Sequence, residues 1–185
     1  MLVQNPGSET ATVDLTYMTE AGAVPGPSLE LAPETRQTVN VAWTVPDTWS
    51  VSTMVSSNKP VIAERAMYWE NRQGGHDSIG VTSPARNWYL AEGSTGGSFE
   101  TWVLVQNPGS EAATVDLTYM TEAGAVPGPS LELAPQTRQT VNVAWTVPDT
   151  WSVSTMVSSN KPMIAERAMY WENRQGGHDS IGCKP

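Results

Sequence analysis

The chain has 185 residues, with 10 basic and 19 acidic side chains, a formal net charge of -9 and a pI near 4.6. This charge argues against nucleic acid as a partner, and no run of about 18 apolar residues is present to form a transmembrane segment. Valine and threonine supply 39 residues, and the 14 prolines and 15 glycines interrupt the sequence at short intervals. Because β-branched residues favour strands, the composition predicts an all-β protein.

The first 82 residues contain short strand-like segments separated by turns. Residues 12–19 alternate, with Val13, Leu15 and Tyr17 on one face, which is typical of a half-buried strand. Further strands are predicted at residues 28–31, 35–45, 49–56, 61–70 and 76–82. Trp43 and Trp49 are in phase with the inward valines of their segments, so the pattern predicts that both lie in the core.

The strand at 61–70 is apolar except for two adjacent charged residues, Glu64 and Arg65. One of the two must point toward the core, where a charge needs a partner. The sequence therefore predicts a structural ion pair or a buried acid here, and again at Glu166 and Arg167.

The segment that follows contains a histidine, an aspartate and a serine in a row. Gln73-Gly74-Gly75 predicts a hairpin turn, with His76 exposed and Asp77 bonded to backbone groups. Neighbouring strand residues point to opposite faces, so these side chains do not form a hydrolytic triad, and no catalytic residue is predicted. The same turn is predicted at Gly176, Gly177, His178 and Asp179.

The middle of the chain begins with a short linker between the two repeats. Residues 83–86 contain a proline and are predicted to be a linker. Strands are predicted at 88–92 and 99–106, on either side of a glycine-rich loop at 93–98.

A repeat organises the whole sequence. Residues 2–80 recur at 104–182, and only three of these 79 aligned positions differ: Thr10 and Ala112, Glu34 and Gln136, Val61 and Met163. A period of 102 residues matches an independent domain. We predict a first unit at residues 1–82, which lacks its opening strands, and a second unit at 87–185. About eight short strands per unit indicate a Greek-key, immunoglobulin-like β-sandwich.

Metal and cofactor sites have little support in the sequence. Each unit has one histidine, and the single cysteine, Cys183, allows no cysteine-rich zinc site. No cofactor and no metal site are predicted, although a looser calcium site built from Asp14, Asp47 or Asp77 stays open. The Cys183 tail departs from the repeat, and its role is also open.

The eight tryptophans provide an alternative function, because sugars stack on exposed indole rings. Most of the tryptophans are expected to pack in the core or between units. Trp69, Trp88 and Trp171 are the candidate ligand-stacking aromatics.

Four sequence segments carry a resemblance to a known family. They are WYLAEGSTGGSFETWVLVQNPG (88–109), ATVDLTYMTEAG (11–22), VSTMVSSNKPVIAERAMYW (51–69) and GGHDSIG (74–80). Together they resemble a domain of unknown function that occurs in tandem in large secreted or wall-associated bacterial proteins. The resemblance implies a secreted β-sandwich repeat of a stalk, adhesin or filament, with no catalytic residues to carry over.

We therefore expect a non-enzymatic structural repeat of the bacterial cell surface or exterior, although the sequence shows no signal peptide. Self-association with adjacent repeats or other copies of the chain is expected, and strand donation would join units head to tail. Simple truncation of the first unit is the competing explanation for its missing strands. The alternative function is an array of glycan-binding modules with surface glycans as partners.

Overall fold

The computed structural model describes all 185 residues and contains fourteen strands and three short 3₁₀ helices. The strands of the first unit are β1 (Leu2–Asn5), β2 (Ala11–Thr19), β3 (Gly22–Leu31), β4 (Thr35–Thr38), β5 (Ser52–Ser57), β6 (Ile62–Trp69) and β7 (Gly74–Ile79). Those of the second unit are β8 (Ala85–Leu90), β9 (Glu100–Asn107), β10 (Ala113–Thr121), β11 (Gly124–Leu133), β12 (Thr137–Asn142), β13 (Val153–Trp171) and β14 (Gly176–Ile181). The 3₁₀ helices are Val41–Trp43, Glu70–Arg72 and Val143–Trp145, and no helix has the length and apolar character needed to cross a membrane.

The second unit is an all-β sandwich in which one long strand serves both sheets. The first half of β13 pairs with β10 and β8, and its second half pairs with β9 and β14. The strand orders are β11-β10-β13-β8 and β12-β9-β13-β14, and every pairing is antiparallel. β8 begins at Ala85, inside the segment that the sequence predicts as a linker.

Sixteen buried hydrophobic residues form the core of this unit. Odd-numbered side chains of β13, such as Val157 and Met163, face the interior because successive side chains alternate across a strand. Trp88 of β8 lies among them with 1% exposure, and its Nε1 donates to the carbonyl oxygen of Met163 at 2.8 Å. The first strand of the unit therefore contributes a central core side chain.

The first unit has the same arrangement without a counterpart of β8. Its sheets are β3-β2-β5 and β4-β1-β6-β7, so the edge of β5 that β8 would occupy has no partner strand. Its core has ten buried residues. Val55 and Val61 are only half-buried, whereas their counterparts Val157 and Met163 are fully buried. The first unit therefore has an open sheet edge at β5, where the opening strands are predicted to be missing, and its core is incompletely covered.

The predicted strand at 35–45 is interrupted. β4 ends at Thr38, and Asn40 caps the 3₁₀ helix by accepting a hydrogen bond from the Ala42 amide. The helix breaks the alternation of the strand, so the prediction that Trp43 lies in the core is wrong: it is 82% exposed. The same prediction fails for Trp49, which is 90% exposed in the loop before β5.

The hairpin turn is displaced from its predicted position. The chain turns at Glu70–Arg72, which all have positive φ, and Gly74–Asp77 lies within β7. His76 is buried, contrary to the prediction that it is exposed. Gly74 is required by cross-strand packing, because a Cβ there would overlap the Trp69 indole. Gly176, Gly177, His178 and Asp179 likewise belong to β14.

Candidate functional site: the surface between the units

The second unit contacts the first through the outer face of its β9-β13-β14 sheet. Even-numbered residues of β13, including Glu166 and Tyr170, point away from their own core because the odd-numbered ones point into it. The first unit uses its other sheet face for the contact, since Arg65 and His76 lie on the interior side of β6 and β7. The contact therefore joins an outer face of one unit to an inner face of the other.

A buried cluster of charged and polar groups lies at the centre of this contact. Arg65 Nη2 donates to Glu166 Oε1 at 2.7 Å and also to Asp179. The Asp179 side chain has no exposure to solvent. His76 Nδ1 lies 3.1 Å from Asp179 Oδ1, at ion-pair distance but not aligned as a hydrogen bond, and His76 Nε2 lies 3.0 Å from the Tyr170 hydroxyl. We call Arg65, His76, Glu166, Tyr170 and Asp179 the polar cluster.

Trp69 closes one side of the polar cluster. Its ring packs edge-on against Tyr170, with centroids 5.4 Å apart, and also contacts His76. The indole Nε1 donates to the carbonyl oxygen of Arg174 at 2.5 Å. An aromatic lid of this kind excludes water and strengthens the ionic contacts beneath it.

The contact extends beyond the cluster along the same sheet face. Gln106 Nε2 lies 3.2 Å from the sulfur of Met18, which is fully buried. Its counterpart in the second unit, Met120, is 37% exposed. The hydroxyl groups of Ser50 and Thr140 lie 3.4 Å apart at the edge.

The two acids of the cluster titrate differently. Burial raises the pKa of Asp179, but the facing His76, the adjacent Glu166 and the Arg65 guanidinium outweigh it and bring the pKa to about 2. The pKa of Glu166 is raised, first by burial and then by its contact with Asp179. The contacts with His76, Glu166 and Arg65 thus favour the ionised form of Asp179 and leave Glu166 as the weaker acid.

The equivalent inner surface of the second unit is covered by that unit's own opening segment, residues 85–99. Arg167 Nη2 donates to Glu92 Oε2 at 3.1 Å, and His178 Nε2 lies 3.7 Å from the same oxygen. Phe99 packs on Trp171 with centroids 6.1 Å apart. The same arginine, histidine and tryptophan are therefore covered by the opening segment in one unit and by a neighbouring unit in the other.

The residues predicted to form ion pairs lie in different environments. Arg65 and Arg167 are the members that face the interior, and they pair with Glu166 and Glu92 rather than with the adjacent glutamates. Glu64 lies on the outer face of the first unit beside Asp77, which raises its pKa.

The ligand-stacking interpretation is wrong for Trp88, which lies in the core because it faces inward from β8. Trp69 and Trp171 are half-buried and already packed against aromatic rings. Glu92 and Tyr170 carry no sequence signal as site residues, because the partners of each arginine are fixed only by the tertiary structure.

No group of three or more His, Cys, Asp or Glu side chains is arranged to hold a metal ion, so Asp14, Asp47 and Asp77 do not converge. A surface groove of about 430 Å³ is lined by residues of the second unit that include Glu92, Met120 and Trp151. Four tryptophans are largely exposed: Trp43, Trp49, Trp145 and Trp151.

Comparison with known proteins supports the fold. Residues 75–166, from β7 to β13, match a family of unknown function, DUF5719. The crystal structure of Thermotoga maritima 1070 shares 19% identity, with a TM-score of 0.50, over 55% of this chain and 96% of its own. The Anabaena sensory rhodopsin transducer shares 20% identity, with a TM-score of 0.42, over 48% of this chain and 99% of its own. No curated protein matches the chain.

Proposed function

We propose that this protein is a non-enzymatic structural repeat of a bacterial cell-surface or extracellular stalk, adhesin or filament, in which units associate head to tail. The observation that carries the proposal is the contact between two nearly identical units through different faces. A contact between unlike faces of a repeated unit is heterologous, and it generates an extended array unless the rotation closes a ring.

The composition and the repeat fit this function. Each added copy of a 102-residue unit increases reach and adds an identical surface, whereas a second identical active site beside the first rarely benefits an enzyme. The outer face of the first unit carries Glu64, Tyr68 and Asp77, the counterparts of the docked residues of the second unit, and Tyr68 is 63% exposed. Assembly between copies therefore leaves this outer face exposed, and the second unit of one copy docks on the first unit of the next, since the inner surface of each second unit is covered by its own opening segment.

Negative-stain electron microscopy and light scattering coupled to size exclusion test this proposal. We expect rods or fibres at high protein concentration, and we expect Asp179→Arg to abolish them because it places a cation against Arg65. Asp77→Arg, the matched substitution on the free face, is the control for general effects of charge. A compact monomer at every concentration, or fibres that persist in Asp179→Arg, would contradict assembly through this contact.

Glycan binding is a second candidate function, favoured by the exposed tryptophans. Trp151 lies at the groove described above, and its ring covers Gly96 and Gly97, where any side chain would crowd the indole. A flat indole beside a carboxylate suits a sugar ring with its hydroxyl groups. The binding site that we propose is therefore Trp151 with Glu92, and not the three tryptophans singled out from the sequence.

Isothermal titration with cell-wall and host glycans tests the second candidate. We expect binding in the millimolar to micromolar range that is lost in Trp151→Ala and kept in Trp49→Ala, the counterpart in the first unit. Absence of heat with every glycan, or equal binding by both variants, would argue against the groove as a sugar site.

A further inference from the structure

The groove beside Trp151 lies at one end of the β11-β10-β13-β8 sheet of the second unit, and we call it the Trp151 groove. β8 ends at Leu90, β10 ends at Thr121 and β13 begins at Val153. These strand ends and the residues next to them line the groove, at positions 91–93, 120–122 and 151–154. All of the lining belongs to the second unit, so the groove is formed without the contact between units.

The glycine-rich loop covers one face of the Trp151 indole. A Cβ atom at Gly96 would lie 3.0 Å from Cδ2 and Cε2, the two carbons that the indole rings share, and a Cβ atom at Gly97 would lie 3.1 Å from Cη2. Glycine at both positions lets the loop lie this close to the ring. Phe99 packs edge-on against the same indole, with centroids 6.0 Å apart. Trp151 nevertheless stays 68% exposed, so its other face is open to solvent.

The backbone on both sides of Trp151 is bonded to the same loop. The Thr95 amide donates to the carbonyl oxygen of Thr150 at 2.8 Å, and the Thr150 amide donates to Thr95 Oγ1 at 3.0 Å. The Val153 amide donates to the carbonyl oxygen of Gly93 at 3.0 Å. The open face of the indole is therefore held in place before any ligand arrives, and a ring can stack on it with little loss of conformational entropy.

The charged groups that line the groove are all negative. They are Glu92 and Glu122, and the lining contains no lysine or arginine. Glu122 is exposed in the turn between β10 and β11 and forms no ion pair. The contacts of Glu92 with Arg167 and His178 both use Oε2, which leaves Oε1 without a protein partner. The groove therefore repels anions, whereas Glu122 and the face of an indole both attract a cation.

The uncharged groups of the groove match a sugar ring. Ser152 and Ser154 are accessible, and their hydroxyl groups have no hydrogen-bond partner within the protein. Met120 lies opposite Ser154 in the strand register and adds an apolar surface that is 37% exposed. A sugar has an apolar ring face and a polar rim, so an indole surrounded by hydroxyl and carboxylate groups complements both.

We propose that the Trp151 groove binds an amino sugar whose amine is unmodified and therefore positively charged. The sugar ring stacks on the open face of Trp151, and its ammonium group pairs with Glu122. The ring hydroxyl groups donate to Glu92 Oε1 and bond to the two serines. This inference rests on the second candidate function, and it names the class of sugar that the site selects.

Other ligand classes fit the groove less well. An N-acetylated sugar keeps the stacking but lacks the charge that complements Glu122. A uronic acid or a phosphorylated sugar brings an anion to two carboxylates, which is unfavourable. A lysine side chain supplies an ammonium group but has no ring to stack on Trp151 and no hydroxyl groups for Ser152 and Ser154.

Isothermal titration of the full-length chain at low salt tests the proposal. The probes are a glucosamine tetramer, an N-acetylglucosamine tetramer and tetralysine. We expect one site per chain that binds the glucosamine tetramer at least about tenfold more tightly than either of the other two probes. Equal binding of the two sugars would overturn the role of the charge, and equal binding of tetralysine would overturn the choice of a sugar.

Protein variants separate this site from general attraction between a polycation and an acidic protein. Trp151→Ala is expected to abolish binding of the glucosamine tetramer, and Glu122→Gln to weaken it about tenfold. Trp49→Ala and Glu20→Gln, the matched substitutions in the first unit, should leave it unchanged. All four residues are exposed, so we expect the variants to keep the fold. Binding that survives Trp151→Ala, or that weakens equally in Glu20→Gln, would contradict the site.

The outcome is distinguishable from those of the proposed functions. Equal binding of both sugars that is lost in Trp151→Ala keeps the glycan site and overturns its selectivity for the amine. No binding by either sugar overturns this inference and counts against the second candidate function. Neither result changes the test of assembly through Asp179, which is measured by the formation of fibres.

Discussion

At the scale of single residues, the repeat places the same side chain in two environments within one molecule. Tyr170 is 9% exposed and Tyr68 is 63% exposed, although they occupy equivalent positions. Asp179 has a buried side chain among charged partners, while Asp77 lies at the surface. Tyr68 and Asp77 are thus exposed controls for Tyr170 and Asp179, because the local sequence is the same and the contact between units differs.

The pKa of Asp179 predicts acid weakening of the contact between units. A carboxyl whose folded pKa lies below its unfolded value stabilises the fold above the unfolded pKa, and the stability is lost as pH falls through the folded pKa. For Asp179 this window runs from 3.8 down to about 2, equivalent to about 2 kcal/mol. Thermal denaturation between pH 5 and pH 2 should show this loss in the native protein and in Asp77→Asn, but not in Asp179→Asn.

Glu166 acts in the opposite direction, because its raised pKa gives stability at low pH that is lost as pH rises. The contribution of Asp179 is therefore the difference in pH dependence between Asp179→Asn and Asp77→Asn. An equal pH dependence in Asp179→Asn and Asp77→Asn would contradict the role of this carboxylate.

Trp88 and Trp145 are expected to contribute very differently to the stability of the second unit. Trp88→Ala removes a buried ring and its hydrogen bond to Met163, and should destabilise the second unit by about 3–5 kcal/mol. Trp145→Ala in the same unit removes a ring that is 74% exposed and should cost less than about 1 kcal/mol. Urea unfolding followed by circular dichroism measures both, and similar costs would place Trp88 outside the core.

At the scale of elements, the long strand of the second unit corresponds to two separate strands in the first. β13 is continuous from Val153 to Trp171, whereas β5 ends at Ser57 and β6 begins at Ile62. The intervening sequence is the same except for one residue. Pairing with β8, which reaches Met163, therefore favours the continuous strand in the second unit.

Hydrogen exchange should distinguish these two edges. Amides of Thr53–Ser56 that point away from β2 have no partner strand, while the equivalent amides of Thr155–Ser158 face β8. We expect the former to exchange faster by at least tenfold. Peptides that include Val61 or Met163 differ in mass, so mass spectrometry separates the two copies, and equal exchange in both would mean that the edge of β5 is protected.

The sequence predicts the elements better than the surfaces between them. Alternation and turn residues locate most strands, and the repeat shows that the first unit lacks a segment found in the second. Trp43 is misplaced because a 3₁₀ helix changes the direction of its side chain, which alternation over 35–45 does not reveal. The partner of Arg65 is not predictable, because Glu166 is 101 residues away and has the same local sequence as Glu64.

At the scale of the whole molecule, the two units have unequal cores. The second unit has sixteen buried core residues and the first has ten, with the open edge of β5 beside them. Burial of apolar surface is the main source of stability, so the first unit is the weaker of the two. The contact with the second unit compensates in part by covering Met18, Arg65 and Trp69.

Differential scanning calorimetry of the full chain should therefore show two transitions. The first unit should unfold at the lower temperature, and Asp179→Arg should lower that transition by several degrees while leaving the upper one unchanged. Asp77→Arg should move neither transition by a comparable amount. A single transition that all variants share would show that the units unfold as one body.

The shared strand β13 also determines how the second unit carries tension. The chain enters the unit at Ala85, opposite Met163, and leaves near Ile181, opposite Glu166. These positions are three residues apart on one strand, a distance of about 10 Å. A force applied to both ends is therefore transmitted through a short central part of β13. The rest of the sandwich lies beside this segment and carries little of the load.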